Sequence, residues 1–429
     1  MAGKAITMAE DAVDTTKLAD AAKVYWHELA YAPGGVVKDM DYAGHMRGVH
    51  PLFEGVKIVD CDTHFTEPPD IFTSRAPAAM KDKVPYQKIH NGVTRWFVGD
   101  KDFGITGGNV IRADKRKMLG RLSIPTLEEG TPAAWKVKER LQAMDELGIY
   151  AQICYQNSGV TQAGSLMNLD AGVGELVLRL YNNAAIERQH ESGQRLFTLA
   201  HLPLWNKQAM DAEARRCIDM GIRGFVLPDT PESFGAPSFD QPYWADFLEM
   251  CNATGTPLNF HLNAAIDPGA LTWKSFGFEK ALAVVSNMFY IGNLATMGNW
   301  MVSGLLDRYP RLKIGLIESG MGWIPFGIEA MEHQFDEMLA DRSIAPERRP
   351  WDYFRDHFWC TFWFEKIAPT QLLETIGVNK VLFETDFPHP TALYPNVQEH
   401  LVETLGGYSP EVRRQVLERN AVELYNLPF

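Results

Sequence analysis

Hydrophobic and polar positions follow two alternating rhythms along this chain. Short apolar runs, several bounded by Gly or Pro, predict buried strands at residues 56–59, 150–155, 196–202, 224–227, 257–262, 312–317, 358–362 and 380–383. Between them, apolar residues recur at helical spacing over 135–147, 176–190, 209–220, 243–254, 323–339, 369–376 and 410–424. Several of these stretches stop at a glycine suited to a helix C-terminus, as at Gly148, Gly221, Gly255 and Gly377. Eight strands, each followed by helical sequence, predict an α/β chain folded as a (β/α)8 TIM barrel. No glycine-rich nucleotide fingerprint follows any strand, which disfavours an open doubly wound sheet.

Two stretches break the rhythm. Residues 1–55 read as an N-terminal arm, aromatic at Tyr25, Trp26 and Tyr31, ahead of a barrel domain at 56–429. Residues 72–132, rich in charge and glycine, read as an insertion or lid after the first strand. A third stretch, 281–306, has no charged residue and passes a hydropathy window for a membrane span. Its Ser, Asn and Gly content would be costly in hydrocarbon, so a helix buried in a globular fold is expected instead.

Composition narrows the function. There are 54 acidic against 41 basic residues, a net charge of −13, which argues against nucleic acid as a partner. The 5 cysteines are scattered singly, as expected of reduced thiols in the cytoplasm and not of a disulfide frame. The start of the chain is acidic and lacks an apolar core, so no secretory signal is expected. Ser319 lacks the G-x-S-x-G setting of a serine nucleophile.

The chemistry lies at the strand ends. Asp62 and His64 are two apart after the first apolar run, so they point the same way and offer a carboxylate and an imidazole to Zn, Mn or Fe. His201, His261, Glu318 and Asp386 end the third, fifth, sixth and eighth strands, and in a barrel such ends share one mouth. Glu67, on the first loop, is a further candidate ligand. His389 is expected beside the ligands, and Trp323, with Trp273, Phe276 and Trp363, along a substrate pocket.

The first-strand motif, His261, the run Glu318-Ser319-Gly320-Met321-Gly322-Trp323 and the run Phe383-Glu384-Thr385-Asp386-Phe387-Pro388-His389 resemble the amidohydrolase-related family. That branch of the amidohydrolase superfamily includes aminocarboxymuconate-semialdehyde decarboxylase. The resemblance runs from about Val56 to the C-terminus and implies that Asp62, His64, His261 and Asp386 hold a divalent metal. Its decarboxylases usually carry His where this chain has Glu318, so Glu318 is expected as a base or an added ligand, with one or possibly two ions per chain. The departure makes a metal-dependent hydrolase the first expectation. Metal-activated water would attack an ester, thioester, lactone or amide, with Asp386 and Glu318 catalytic. The alternative is non-oxidative decarboxylation of an aromatic or unsaturated acid; a non-catalytic barrel is a third reading, at odds with the complete ligand set. The substrate is a small molecule, the loop 230–240 and the lid set specificity, and Arg75 or Lys274 would meet an anionic substrate. The arm and the resemblance suggest a homodimer.

Overall fold

The computed structural model describes residues 35–159, 166–170, 172–262, 272–341 and 343–429. The expected arm therefore lies mostly outside the described residues. Eight parallel strands follow in chain order: β1 (Val59–Phe65), β2 (Ala151–Gln156), β3 (Leu196–Thr198), β4 (Phe225–Val226), β5 (Leu258–His261), β6 (Ile314–Ile317), β7 (Phe358–Phe362) and β8 (Val381–Phe383). Continuous ladders join β1–β2–β3 and β4–β5–β6–β7–β8. Single parallel bridges, Ala200 with Phe225 and Thr63 with Phe387, span the two seams between these sheets. At the second seam the Asp386 amide donates to the Asp62 carbonyl at 2.9 Å, and the His64 amide donates to the Phe387 carbonyl at 2.8 Å. The first and last strands are thereby joined next to their functional residues.

Helices pack outside as expected: α1 (Val137–Leu147), α2 (Val173–Glu191), α3 (Lys207–Asp219) and α4 (Ala245–Thr254). Gly148 and Gly255 end α1 and α4 in the left-handed region, at φ 73° and 68°, where a Cβ is disfavoured. The tail helix Asn420–Tyr425 plugs the barrel end opposite the strand C-termini. Its Ala421, Leu424 and Tyr425 pack with Val59, Ala151 and Leu382, and the Tyr425 hydroxyl donates to Asn259 Oδ1 at 2.9 Å. With that end closed by apolar packing, the other end is left for polar groups.

Two expectations change. The uncharged stretch is not one buried helix but two, α5 (Phe278–Tyr290) and α6 (Asn293–Val302), parted at Ile291–Gly292. Only 33 % of the 18-residue apolar window within Glu279–Val302 is buried, although that segment is long and apolar enough to cross a membrane by length and composition. Lack of charge does not report burial here, because Val284, Ile291 and Val302 are exposed together with small and amide side chains. The region after β1 carries an antiparallel sheet, Tyr86–His90, Val93–Val98 and Lys101–Ile105. Farther along it joins the barrel: Val110 and Ile111 enter the main core, and the Val110 amide donates to the Pro388 carbonyl at 3.0 Å. This segment is packed onto the loop after β8.

Candidate metal centre

β1 is buried along its whole length, yet it carries Asp60, Asp62 and His64. Buried charge of this density is costly unless it is paired, hydrogen-bonded or bound to a cation. Asp60 is satisfied within the protein: its carboxylate accepts from the Thr385 amide (2.8 Å), the Thr385 hydroxyl (2.6 Å) and the Gln152 side chain (3.1 Å). It ties β1 to β2 and to the segment after β8. Burial still pushes its carboxyl up to about 7.

Asp62 differs, because both its oxygens lack a hydrogen-bond partner among the described residues. Three imidazole and carboxylate side chains from other elements converge on it. His64 Nε2 lies 3.8 Å from Asp62 Oδ1 and 3.4 Å from Asp386 Oδ1. His261 Nε2 lies 3.3 Å from Asp62 Oδ2 and 3.2 Å from Glu318 Oε2. Neither Nε2 atom nor Asp386 Oδ1 has a hydrogen-bond partner among the described residues, although all three atoms are buried. Asp62, His64, His261 and Glu318 offer ligand atoms that lie together, and His64 shares a second such group with Asp386 and His389; imidazoles and carboxylates gathered in this way suit a divalent cation. The residues present fit that group.

Tautomer and charge agree with this reading. His64 Nδ1 lies 2.7 Å from the Gln156 carbonyl, to which it donates, so Nε2 presents its lone pair inward. Arg140, wholly buried, donates to the His64 carbonyl at 2.6 Å and fixes the backbone there. Burial pushes His261 down to about 4 and lowers His64 as well, keeping both rings neutral and able to ligate at pH 7. Burial also pushes the Asp62, Glu318 and Glu384 carboxyls well above the usual range, each raised further by neighbouring carboxylates. For Asp386, burial acts upwards but is outweighed by the His389 and His64 imidazoles, which hold the carboxyl low.

Glu318 and Asp386 share a backbone signature. Both sit in the left-handed region, at φ 51° and 57°, a conformation that costs a non-glycine residue about 1–3 kcal/mol. Glu318 is held there by its amide, which donates to Glu384 Oε2 at 3.2 Å. Asp386 is held by the Asp62 carbonyl and by the Thr391 hydroxyl, which donates to its Oδ2. These two strained residues are the ones that turn off the ends of β6 and β8 into the mouth.

The other expected site residues are placed as follows. His389 stacks on His64 (centroids 3.6 Å apart) with Nδ1 3.1 Å from Asp386 Oδ1 and Nε2 2.8 Å from Asn157 Oδ1. Gly108 passes so near that a Cβ there would meet the His389 ring at 2.7 Å. His201 lies beyond the shortened β3, with Nε2 2.6 Å from Gln156 Oε1, in the wall of a cavity of about 440 Å³ that reaches His261. Burial pushes it down to about 3, helped by repulsion from the His261 imidazole whenever that ring is protonated. Trp323 fixes the turn after β6 by donating to the Ser319 carbonyl at 2.8 Å.

Glu67 must be corrected as a ligand. Its oxygens accept from the Asn157 and Ser158 amides at 3.2 and 3.1 Å, so it clamps the loop after β2 and is not among the converging donors. The aromatic pocket is also corrected. Trp273 is 75 % exposed, and Trp363 is buried against Tyr290, whereas Leu202, Leu204, Leu227, Phe234 and Leu262 line the cavity at His261. Arg75 is engaged by Glu187. Residues the sequence reading passed over include Asp60, Gln156, Asn157, Thr391 and Tyr290, whose phenol is pushed up by burial and by the Glu318 and Asp386 carboxylates. The alternation Asp60-Cys61-Asp62-Thr63-His64 was a signal for the first of these; Tyr290, in the uncharged stretch 281–306, had none.

Glu67 yields a test by pH. Burial pushes its carboxyl up to about 7 from the ordinary 4.5, so folding disfavours its ionised form. The stability tied to the protonated carboxyl is fully present below about 4.5 and is lost as pH rises through about 7. Glu67→Gln is expected to flatten the fall in unfolding free energy between pH 5 and 8 by up to about 3 kcal/mol. Denaturant titrations at both pH values check this, and an unchanged difference between them would contradict it.

Comparison with known proteins gives a consistent set of matches. A family model described as amidohydrolase matches residues 59–427. Gamma-resorcylate decarboxylase of Polaromonas sp. (strain JS666) is 25 % identical over 266 residues, covering 58 % of this chain and 76 % of that protein. The crystal structure of an amidohydrolase from Mycobacterium avium subsp. paratuberculosis K-10 superposes with TM-score 0.66 at 18 % identity, over 86 % of this chain and 99 % of that one. A dihydroxybenzoic acid decarboxylase from Polaromonas sp. JS666, with bound manganese and the inhibitor 2-nitroresorcinol, superposes with TM-score 0.56 at 19 % identity, over 87 % and 98 % of the two chains. These decarboxylase relatives overturn the expectation of a hydrolase that attacks a carbonyl with activated water. The same ligand types serve both chemistries, so the ligand set alone did not separate them.

Proposed function

This chain belongs to the amidohydrolase family, and from that premise we propose that its barrel mouth catalyses non-oxidative decarboxylation of an aromatic or unsaturated carboxylic acid. The observation that carries the reading is the set of buried ligand atoms on Asp62, His64, His261 and Asp386 with no hydrogen-bond partner among the described residues, the first three grouped with Glu318 around one point and Asp386 joined to them through His64, in a chain whose curated relatives are decarboxylases. Those four side chains would hold one divalent cation, of the manganese type found in a relative. A bound cation there supplies positive charge that draws the acid's oxygens to the mouth and offsets negative charge as the carbon–carbon bond breaks.

The protein's own residues then account for the proton. When the carboxylate leaves as carbon dioxide, the bonding electron pair stays on the ring or vinyl carbon, which must gain a proton. Four buried carboxyls crowd the site: Asp62, Glu318, Glu384 and Asp386. One divalent charge offsets two of them, so the remaining pair favours holding protons. Glu318 is on the rim, 3.2 Å from His261 Nε2, and is the member of that pair placed to protonate the carbon. Glu384 lies against its backbone and opposes ionisation from beneath. Leu202, Leu204, Leu227 and Leu262 line the cavity beside His261 and offer an apolar surface to the substrate's ring or vinyl group.

The test is carbon dioxide release from a panel of hydroxybenzoates and unsaturated diacids by manganese-loaded protein. The proposal expects stoichiometric carbon dioxide and the decarboxylated product. Ester or lactone cleavage with no carbon dioxide from any member would sink it.

A further inference from the structure

The cavity beside His261 holds about 440 Å³, within the range of about 300–1,000 Å³ in which small ligands bind. Most of its wall is apolar: Leu202, Leu204, Val226, Leu227, Phe234 and Leu262. No Lys or Arg is among the described residues that line it, and Asp229 is the one carboxylate among them. A second anionic group on a bound acid would therefore find no cation here and one like charge.

Against that wall two polar side chains form a fixed pair. Gln156 is the last residue of β2, and its backbone carbonyl accepts from His64 Nδ1 at 2.7 Å, which ties it to the metal centre. Its side-chain Oε1 lies 2.6 Å from His201 Nε2. His201 is itself clamped by α2: its amide donates to Asn182 Oδ1 at 3.1 Å, and its carbonyl accepts from Asn182 Nδ2 at 2.9 Å. The Tyr181 ring packs edge-on against the imidazole at 5.5 Å. With α2 fixing His201, and His201 fixing one edge of the amide, the Gln156 side chain has a set orientation.

The other edge of that amide is free. Gln156 Nε2 has no hydrogen-bond partner among the described residues, and it is not one of the unpartnered atoms sealed in the interior. Gln156 lines the cavity, so a molecule bound there meets this edge. A hydroxyl satisfies it in either sense, accepting from the N–H group or, were the amide turned about, donating to its oxygen. A methyl group of nearly the same size leaves the edge unpaired, and a carboxylate brings a charge that the wall does not offset.

We infer that Gln156, oriented by His201, binds a neutral hydroxyl carried on the substrate away from its acid group. The cavity thereby selects monocarboxylic acids with a remote hydroxyl over their alkyl analogues and over diacids. This rests on the decarboxylase reading for the acid group, but the hydroxyl selectivity belongs to the cavity wall. Gln156 touches the substrate, and His201 is a positioning residue. The loop 230–240, expected to set specificity, adds Thr230, Ser233 and Phe234 to the same wall.

The experiment uses manganese-loaded full-length protein and 2-hydroxybenzoates that carry a further hydroxyl, methyl or carboxylate group, meta or para to the acid. Binding is read by calorimetry and turnover by carbon dioxide release. At one of the two positions at least, the hydroxyl compound is expected to bind about tenfold more tightly than the methyl one, with the carboxylate compound weakest. Gln156→Leu is expected to abolish that preference, and His201→Leu to reduce it to about threefold. His201→Gln, whose amide can again meet Gln156, is expected to restore it. Equal binding of hydroxyl and methyl compounds at both positions, tightest binding of a carboxylate compound, or a ratio unmoved by Gln156→Leu (by His201→Leu, should the first variant not fold) would overturn the inference. A ratio that falls only together with manganese affinity would mark a general loosening of the mouth and count against the pair. A hydroxyl preference without carbon dioxide release from any compound would uphold the pair and sink the decarboxylase reading. Carbon dioxide release without a hydroxyl preference would do the reverse.

Discussion

Glu318→Gln is expected to lower carbon dioxide release by about 10²–10⁴-fold, the range over which a positioned general acid acts. Gln keeps the shape of the side chain and one acceptor oxygen but has no acidic proton to give. The left-handed backbone at φ 51° and the amide contact to Glu384 do not depend on the carboxyl, so the turn after β6 should survive. The cation should survive too, because Asp62, His64, His261 and Asp386 are untouched. The variant therefore separates proton delivery from metal holding. Bound metal at the wild-type level with turnover reduced at least a hundredfold supports the role. Turnover within threefold of wild type would reject it, and loss of metal would recast Glu318 as a ligand.

The second large effect comes from the ligand set. His261→Ala is expected to remove the cation and, with it, carbon dioxide release by at least about 10³-fold, since the imidazole bridges the space between Asp62 and Glu318. It should also change how stability responds to metal. In the wild-type protein, a cation at 100 times its dissociation constant should stabilise the fold by about 2.7 kcal/mol, because only the native state gathers the ligands. Without that cation, the carboxyls of Asp62, Glu318 and Glu384 stand at one mouth with only imidazoles to offset them. The variant should therefore lose the rise in melting temperature on adding manganese. A variant that still melts higher with manganese, at the wild-type dose, would show that the ion binds elsewhere.

Much of the fold was legible because most strands buried on both faces are largely apolar and several are closed by Gly or Pro. The limits of β7 were read to the residue, at Phe358–Phe362. β1 was read short, since Asp60, Asp62 and His64 look like the end of a strand although the ladder with β2 continues to Phe65. Buried charge inside a strand is invisible to an apolar pattern. The metal-facing residues were legible because each follows or ends a strand, and barrel geometry brings those ends together.

The failures have physical causes as well. Glu67 sits near the ligands in sequence, but its partners are two amides some ninety residues on, and a side chain's hydrogen bonds cannot be read from its neighbours in the chain. Trp273 and Trp363 were grouped by residue type, whereas one is exposed and the other is core. The reaction itself was misjudged because two carboxylates and two imidazoles around a cation describe equally a site that activates water and one that grips a substrate acid. What the pattern cannot supply is the wall around the metal, and that wall is leucine-rich on the side of His201 and His261.

The most direct test is an anomalous-scattering crystal structure of manganese-loaded protein, collected at the manganese edge. One peak should stand at the mouth within bonding distance of Asp62, His64 Nε2, His261 Nε2 and Asp386, about 2.0–2.3 Å from each. Crystals grown with excess manganese that show no peak among these four side chains, or a peak held by other residues, would contradict the account.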